Sequence, residues 1–136
     1  MAAESDVISE ILQELTLYGR RVRAVMHRAH PDLSFVSYAI LSHVDGEDGC
    51  RAVDLARVYA LDKSTVSRQV GDLVRRGLLW REDGGVQGLH VTDEGARILE
   101  DAREQQRELV QGRLAGWTEA ERRTFAELLR RYNAGE

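Results

Sequence analysis

Residues 53–80, VDLARVYALDKSTVSRQVGDLVRRGLLW, constrain this chain more than any other stretch. Leu55, Ala56, Val58 and Tyr59 have helical spacing, a break falls at Ala60 and Leu61, and a second helix starts at Asp62. Two short helices joined by a tight turn form a helix-turn-helix. At about 100° per residue, Val66, Val70, Leu73 and Val74 gather on one face of the second helix, while Ser64, Thr65, Arg68, Asp72 and Arg75 gather on the other. One side is built to pack and the other to meet something polar. Asp62 is positioned to cap the first-turn N–H groups, and Gly77 sits where a left-handed residue would end the helix.

A helix from 62 to 76 is about 22 Å long at 1.5 Å per residue, enough to lie in a major groove and reach a few base pairs. Arg68 carries a planar guanidinium that can fork onto guanine O6 and N7 from the middle of the polar face. Ser64, Thr65, Ser67 and Gln69 suit base edges or phosphates, and Lys63, Arg75 and Arg76 suit phosphates. Asp72, four residues after Arg68, is placed to orient it by an ion pair or to accept from cytosine N4. A merely solvated polar face is the competing reading, and the residues downstream of the helix weigh against it.

After Gly77 the period changes. Leu78 to Arg81 and Leu89 to Val91 read as two short strands around DGG at 83–85, a hairpin that makes a wing behind the helix. Upstream, Ile8, Ile11, Leu12, Leu15, Tyr18, Val22, Val25 and Met26 recur at three- and four-residue steps and predict a long amphipathic helix from Ser5 to about Arg28, stopped at Pro31 and Asp32. A second helix, SFVSYAILSHV, comes next with Phe35, Ala39, Ile40 and Val44 inward; DGEDG at 45–49 reads as a turn and Cys50 to Ala52 as a brief strand. Thr92 and Asp93 open a further helix to about Leu114. Thr118 and Glu121 then have capping-box spacing before a last helix striped by Phe125, Leu128, Leu129 and Tyr132. The expected architecture is mainly α with a small β-hairpin wing: one domain, in which 33–92 form a winged helix-turn-helix flanked by dimerisation helices at 5–30 and 93–133.

Charge supports the same reading. The chain of 136 residues has a formal net charge of −4, yet residues 50–81 hold seven basic side chains (Arg51, Arg57, Lys63, Arg68, Arg75, Arg76 and Arg81) against Asp54, Asp62 and Asp72. A local basic face on an acidic body favours contact with DNA through one surface. No apolar run reaches the length of a membrane span and no signal-peptide pattern opens the chain, so a cytoplasmic location is expected. The single cysteine, Cys50, has no partner for an internal disulfide.

In this order the elements resemble the MarR family of transcriptional regulators. The resemblance spans nearly the whole chain and is carried by LDKSTVSRQVGDLVRRGLLWR, 61–81, and HVTDEGARIL, 90–99. The family's recognition-helix pattern is matched at Ser64, Thr65, Val66, Ser67, Arg68, Val70, Leu73, Gly77 and Leu78, and its later motif at Val91, Thr92 and Gly95. The resemblance implies a homodimer on a near-palindromic operator of double-stranded DNA, with Ser64, Thr65, Ser67, Arg68 and Gln69 in the major groove. It also implies small, often aromatic or anionic, effectors that weaken binding from a cleft between the dimer helices and the winged region. Arg51, Arg57 and Arg81 complete the expected DNA-binding set. A repressor is expected, because bound dimers commonly occlude promoters in similar proteins.

Two departures from the family carry expectations of their own. The family's wing tip has an acidic-x-Arg element whose Arg enters the minor groove, whereas EDGGVQG, 82–88, is shorter and has no basic residue, leaving only Arg81 and His90 at its base. Specificity should therefore rest more on the recognition helix. Ala60 stands where the turn often has Gly; a left-handed Ala costs roughly 1 kcal/mol, so the turn is expected to close differently.

Other functional readings are weaker. Cys50 is read as structural, because redox-active relatives keep their cysteine in the first helix. His27, His30, His43 and Cys50 have no spacing that closes a metal site, so neither metal nor other cofactor is expected. Tyr18, Tyr38 and Trp80 are candidates to line an effector cleft, though aromatics at such spacing more often belong to a core. No phosphate loop, nucleophile elbow or catalytic cluster suggests an enzyme. The alternative to a DNA reader is a winged helix that serves only as a protein-interaction module.

Overall fold

The structure, a computed structural model, describes residues 2–84 and 88–136, with side chains from residue 6 onward. The chain divides into two compact units, Met1–Gln105 and Gln106–Glu136. The first contains α1 (Ala2–Ala29), α2 (Phe35–Gly46), α3 (Ala52–Val58), α4 (Lys63–Arg75), β1 (Leu79–Arg81), β2 (Leu89–Val91) and the start of α5 (Asp93–Arg113). The second contains the end of α5 and α6 (Glu119–Ala134). The mainly helical, winged architecture read from the sequence is the one present.

α1 ends at Ala29, just before the His30–Pro31 pair whose sterics disfavour further helix. Its later half buries Val22 and Met26, whereas Ile8 and Leu12 stay 62% and 63% exposed. α2 starts at Ser34, whose Oγ accepts from Ser37 N, and supplies Tyr38, Ile40, Leu41 and Val44 to the core. Phe35, expected inward, is exposed instead. At the first turn its ring lies under the Arg23 guanidinium, 5.2 Å from the centroid, while Tyr38 and Leu41 take the inward positions. The turn after α2 is shorter than DGEDG suggested. Asp45 and Gly46 complete the helix, and Glu47 N–H closes it on His43 O.

No strand forms at Cys50 to Ala52. Gly49 N–H donates to Leu89 O and Leu89 N–H to Cys50 O, and the chain then turns into α3 because the Asp54 carboxylate accepts from Arg51 N–H at 3.1 Å. β1 and β2 pair antiparallel with Leu79 opposite Val91, Trp80 opposite His90 and Arg81 opposite Leu89. Leu55, Val66, Val70, Leu73, Leu79, Leu89 and Leu99 close the core of this unit.

The wing is fastened to α4 and α5 by a compact corner. Thr92 Oγ1 donates to Gly77 O at 2.6 Å and accepts from Gly95 N at 3.0 Å. Gly95 is needed for clearance rather than for φ: a Cβ there would run into the Leu78 carbonyl and Val91 Cγ1. In the second unit, Thr118 and Glu121 form the reciprocal capping box that their spacing predicted, and α6 leaves Phe125, Leu128, Leu129 and Tyr132 exposed. Among the described residues, no helix is long and apolar enough to cross a membrane.

Candidate nucleic-acid interface

α4 is sided as its sequence predicted. Val66, Val70 and Leu73 are at most 1% exposed, while Lys63, Ser64, Ser67 and Arg68 lie open to solvent and Thr65 and Gln69 are half-buried. Asp62 takes the N-cap backbone conformation, but its carboxylate makes no cap hydrogen bond; it is left beside the positive end of the helix dipole. Ala60 takes the left-handed conformation itself, φ +50°, so the turn closes as a glycine-containing one would and does so under strain. Gly77, φ +74°, ends the helix as expected.

Of the two roles open to Asp72, the ion pair with Arg68 is absent. Asp72 instead faces Arg75 at 3.6 Å and Arg76 at 3.7 Å, two cations on its other side. Among the described residues Arg68 makes no ion pair, so its guanidinium keeps its full set of donors for an external acceptor.

Several other basic candidates are engaged within the chain. Arg76 Nη1 donates to Asp32 O at 2.8 Å, tying the end of α4 to the turn before α2. Arg57 pairs with Asp54 at 2.9 Å and Arg51 lies 3.6 Å from it, and the Arg51 backbone N–H, followed by these cations, holds the Asp54 carboxyl below the usual range. Among the described residues Lys63 and Arg81 form no such pair. Gln69 is also anchored: its Oε1 accepts from Ser37 Oγ at 2.8 Å.

At the wing base, His90 is not a spare cation. Its Nδ1 lies 2.6 Å from Asp48 and its Nε2 2.5 Å from Glu82, and its ring stacks on Trp80 at 4.3 Å between centroids. The carboxylates, Glu82 foremost, raise its pKa by favouring the imidazolium. Gly88 beside them has no room for a Cβ, which would meet Glu82 Oε1 and Gly49 O at 2.9 Å. Of the wing tip, Gly84 to Gln87, residues 85–87 lie outside the described residues.

The three aromatic candidates do not form one group. Tyr38 is buried where Arg103 of α5 and Tyr18 both act on it, burial raising its pKa and Arg103 opposing this, whereas Trp80 belongs to the wing. Cys50 is buried, and that burial, with Asp54, Glu47 and Asp48 behind it, pushes its thiol pKa up and away from the reactive thiolate. Among the described residues no group of three or more His, Cys, Asp or Glu could hold a metal.

Ser34 caps α2 at the start its sequence indicates, whereas Ser37, Asp48 and Glu82 carry no site expectation in the sequence. The Ser34–Ser37 spacing signals a helix start, but nothing local marks Ser37 as buried, nor Asp48 and His90 as neighbours across 42 positions.

The model of the MarR family matches residues 32–88. Over 126 residues, 88% of each chain, this protein is 31% identical to an uncharacterized HTH-type transcriptional regulator, YxaD, of Bacillus subtilis. A MarR family protein from Bacillus stearothermophilus is 19% identical with a TM-score of 0.88, over 99% of this chain and 96% of that one. Staphylococcus aureus MarR, solved with salicylate and kanamycin, is 12% identical with a TM-score of 0.83, over 98% and 91%. At such identities these two are likenesses of fold.

Proposed function

The chain belongs to the MarR family of transcriptional regulators, which are not enzymes, and from that premise we propose that it is a homodimeric repressor whose α4 reads a near-palindromic operator. The observation that carries the reading is Arg68, exposed and without an ion-pair partner among the described residues, on a helix whose opposite face buries Val66, Val70 and Leu73. Ser64, Thr65, Ser67 and Arg68 contact base edges; Lys63, Arg75 and Arg81 hold phosphates. Arg51 and Arg57 reach the backbone only through heads already shared with Asp54, and Arg76 serves mainly as a tie to Asp32.

The exposed apolar side chains of α1, and separately those of α6, are the surfaces a second copy would cover, assigning 5–30 and 93–133 to dimerisation and 33–92 to DNA binding within one cytoplasmic regulator. The two α4 helices then enter successive major grooves about 10 base pairs apart on an inverted repeat.

Release by a small aromatic or anionic effector is supported by the salicylate bound to the Staphylococcus aureus relative. Within this chain it is supported by Tyr38 beside Arg103, and by a cavity of about 420 Å³ at the α1–α2 elbow, lined by Arg23, His27 and Phe35 among others.

Selection of bound fragments from genomic DNA tests the whole reading, and Arg68→Ala tests its centre. The variant should lose about 1–3 kcal/mol of operator affinity and relax preference at one base pair. Binding that is unchanged in this variant, or absent from every duplex at low salt, would favour a protein-interaction module.

A further inference from the structure

Gln69 bears an amide with two unlike ends, and a freely rotating glutamine reads adenine because it offers an acceptor to N6 and a donor to N7 together. Here the amide is held. The backbone N–H of Ser37 can only donate, and it donates to Ser34 Oγ at 3.0 Å. The Ser34 hydroxyl donates its own hydrogen bond to Ser37 Oγ at 3.0 Å. Ser37, 2% exposed, donates its O–H to Gln69 Oε1, which accepts at 2.8 Å. The relay runs from the start of α2 to the side of α4 and ends on the carbonyl oxygen. Gln69 Nε2, with no partner among the described residues, is the end left over.

We propose that Ser37 acts as a positioning residue that makes Gln69 a donor-only reader, selecting guanine, with its paired O6 and N7 acceptors, where an unheld glutamine would select adenine. The inference rests on the DNA-reading role of α4 and adds to it a base identity and the side chain that sets it.

The test is selection of binding duplexes from a randomised library by the full-length protein. The position that Gln69 reads is the one whose preference vanishes in Gln69→Ala. Wild type should hold guanine there, and Ser37→Ala should shift the choice toward adenine, lowering the guanine-to-adenine ratio roughly tenfold. The salt dependence should stay unchanged, because no phosphate contact is altered. Gln69→Lys, donor-only without help from Ser37, should keep guanine, and Gln69→Glu should turn toward cytosine. Should Ser37→Ala fail to fold, Ser37→Cys, which keeps the side chain's place but offers only a weak S–H donor, should shift the choice toward adenine in the same direction, and a preference it leaves unmoved overturns the inference.

Adenine at that position in wild type overturns the inference, as does a preference that Ser37→Ala leaves unmoved, loss of guanine in Gln69→Lys, or a Gln69→Ala variant with every preference intact. Failure of the wild type to bind any duplex would instead remove the DNA-reading role beneath it.

Discussion

Ala60 holds a left-handed conformation that costs an L-residue about 1 kcal/mol, and it does so at the one turn that sets α3 against α4. Ala60→Gly should raise the urea midpoint by an amount worth up to about 1 kcal/mol, reduced by the greater freedom Gly gives the unfolded chain. Gly95 presents the opposite case. Gly95→Ala must push the Leu78 carbonyl aside, and a loss of about 1–3 kcal/mol in the same measurement is expected. At His90 the two carboxylates favour the charged ring, so its pKa is higher folded than unfolded. Its contribution is full below the unfolded value of about 6.5 and is lost as pH rises through the folded one. The stability gap between wild type and His90→Gln should therefore be constant in mild acid and narrow as pH climbs past the unfolded value and through the higher folded one; a gap that widens with pH would contradict the geometry.

At the scale of elements, caps and stripes were legible because they are local. Thr118 and Glu121 announced the start of α6 by spacing alone, and Thr118→Ala should cost about 1 kcal/mol, read as a fall in helical circular dichroism on heating. The buried face of α4 was legible because Val66, Val70 and Leu73 repeat at its period. Choices between local partners were not: Asp72 had cations on both sides at helical spacing, and sequence could not say that Arg75 and Arg76 would hold it and Arg68 would not. Phe35 was misplaced inward because periodicity does not show that a first-turn residue can lie beyond the packed face. Of Cys50 to Ala52, Cys50 alone bonds to the hairpin, its carbonyl accepting from Leu89 N–H, which is too little for a strand. Contacts of long sequence separation, Ser37 with Gln69 and Asp48 with His90, carry no local pattern at all.

For the whole molecule, the proposed function depends on a second copy covering the apolar side chains that α1 and α6 leave exposed. Leu12→Glu on α1 and Leu128→Glu on α6 each place a charge among exposed apolar side chains. Sedimentation should show each variant shifted toward monomer, with operator affinity falling because the two half-sites are no longer held together. Operator binding by the wild type should weaken steeply between about 50 and 200 mM salt in proportion to the phosphates it neutralises.

The corner at Thr92 has a mechanical meaning. Gly77 and Leu78, which end α4, are gripped by the first turn of α5 through a hydroxyl bridge and a fit too close for one extra carbon. A joint of that kind has little slack: tilt applied to the head of α5 reaches the end of α4 directly, through the Thr92 bridge and the Gly95–Leu78 contact.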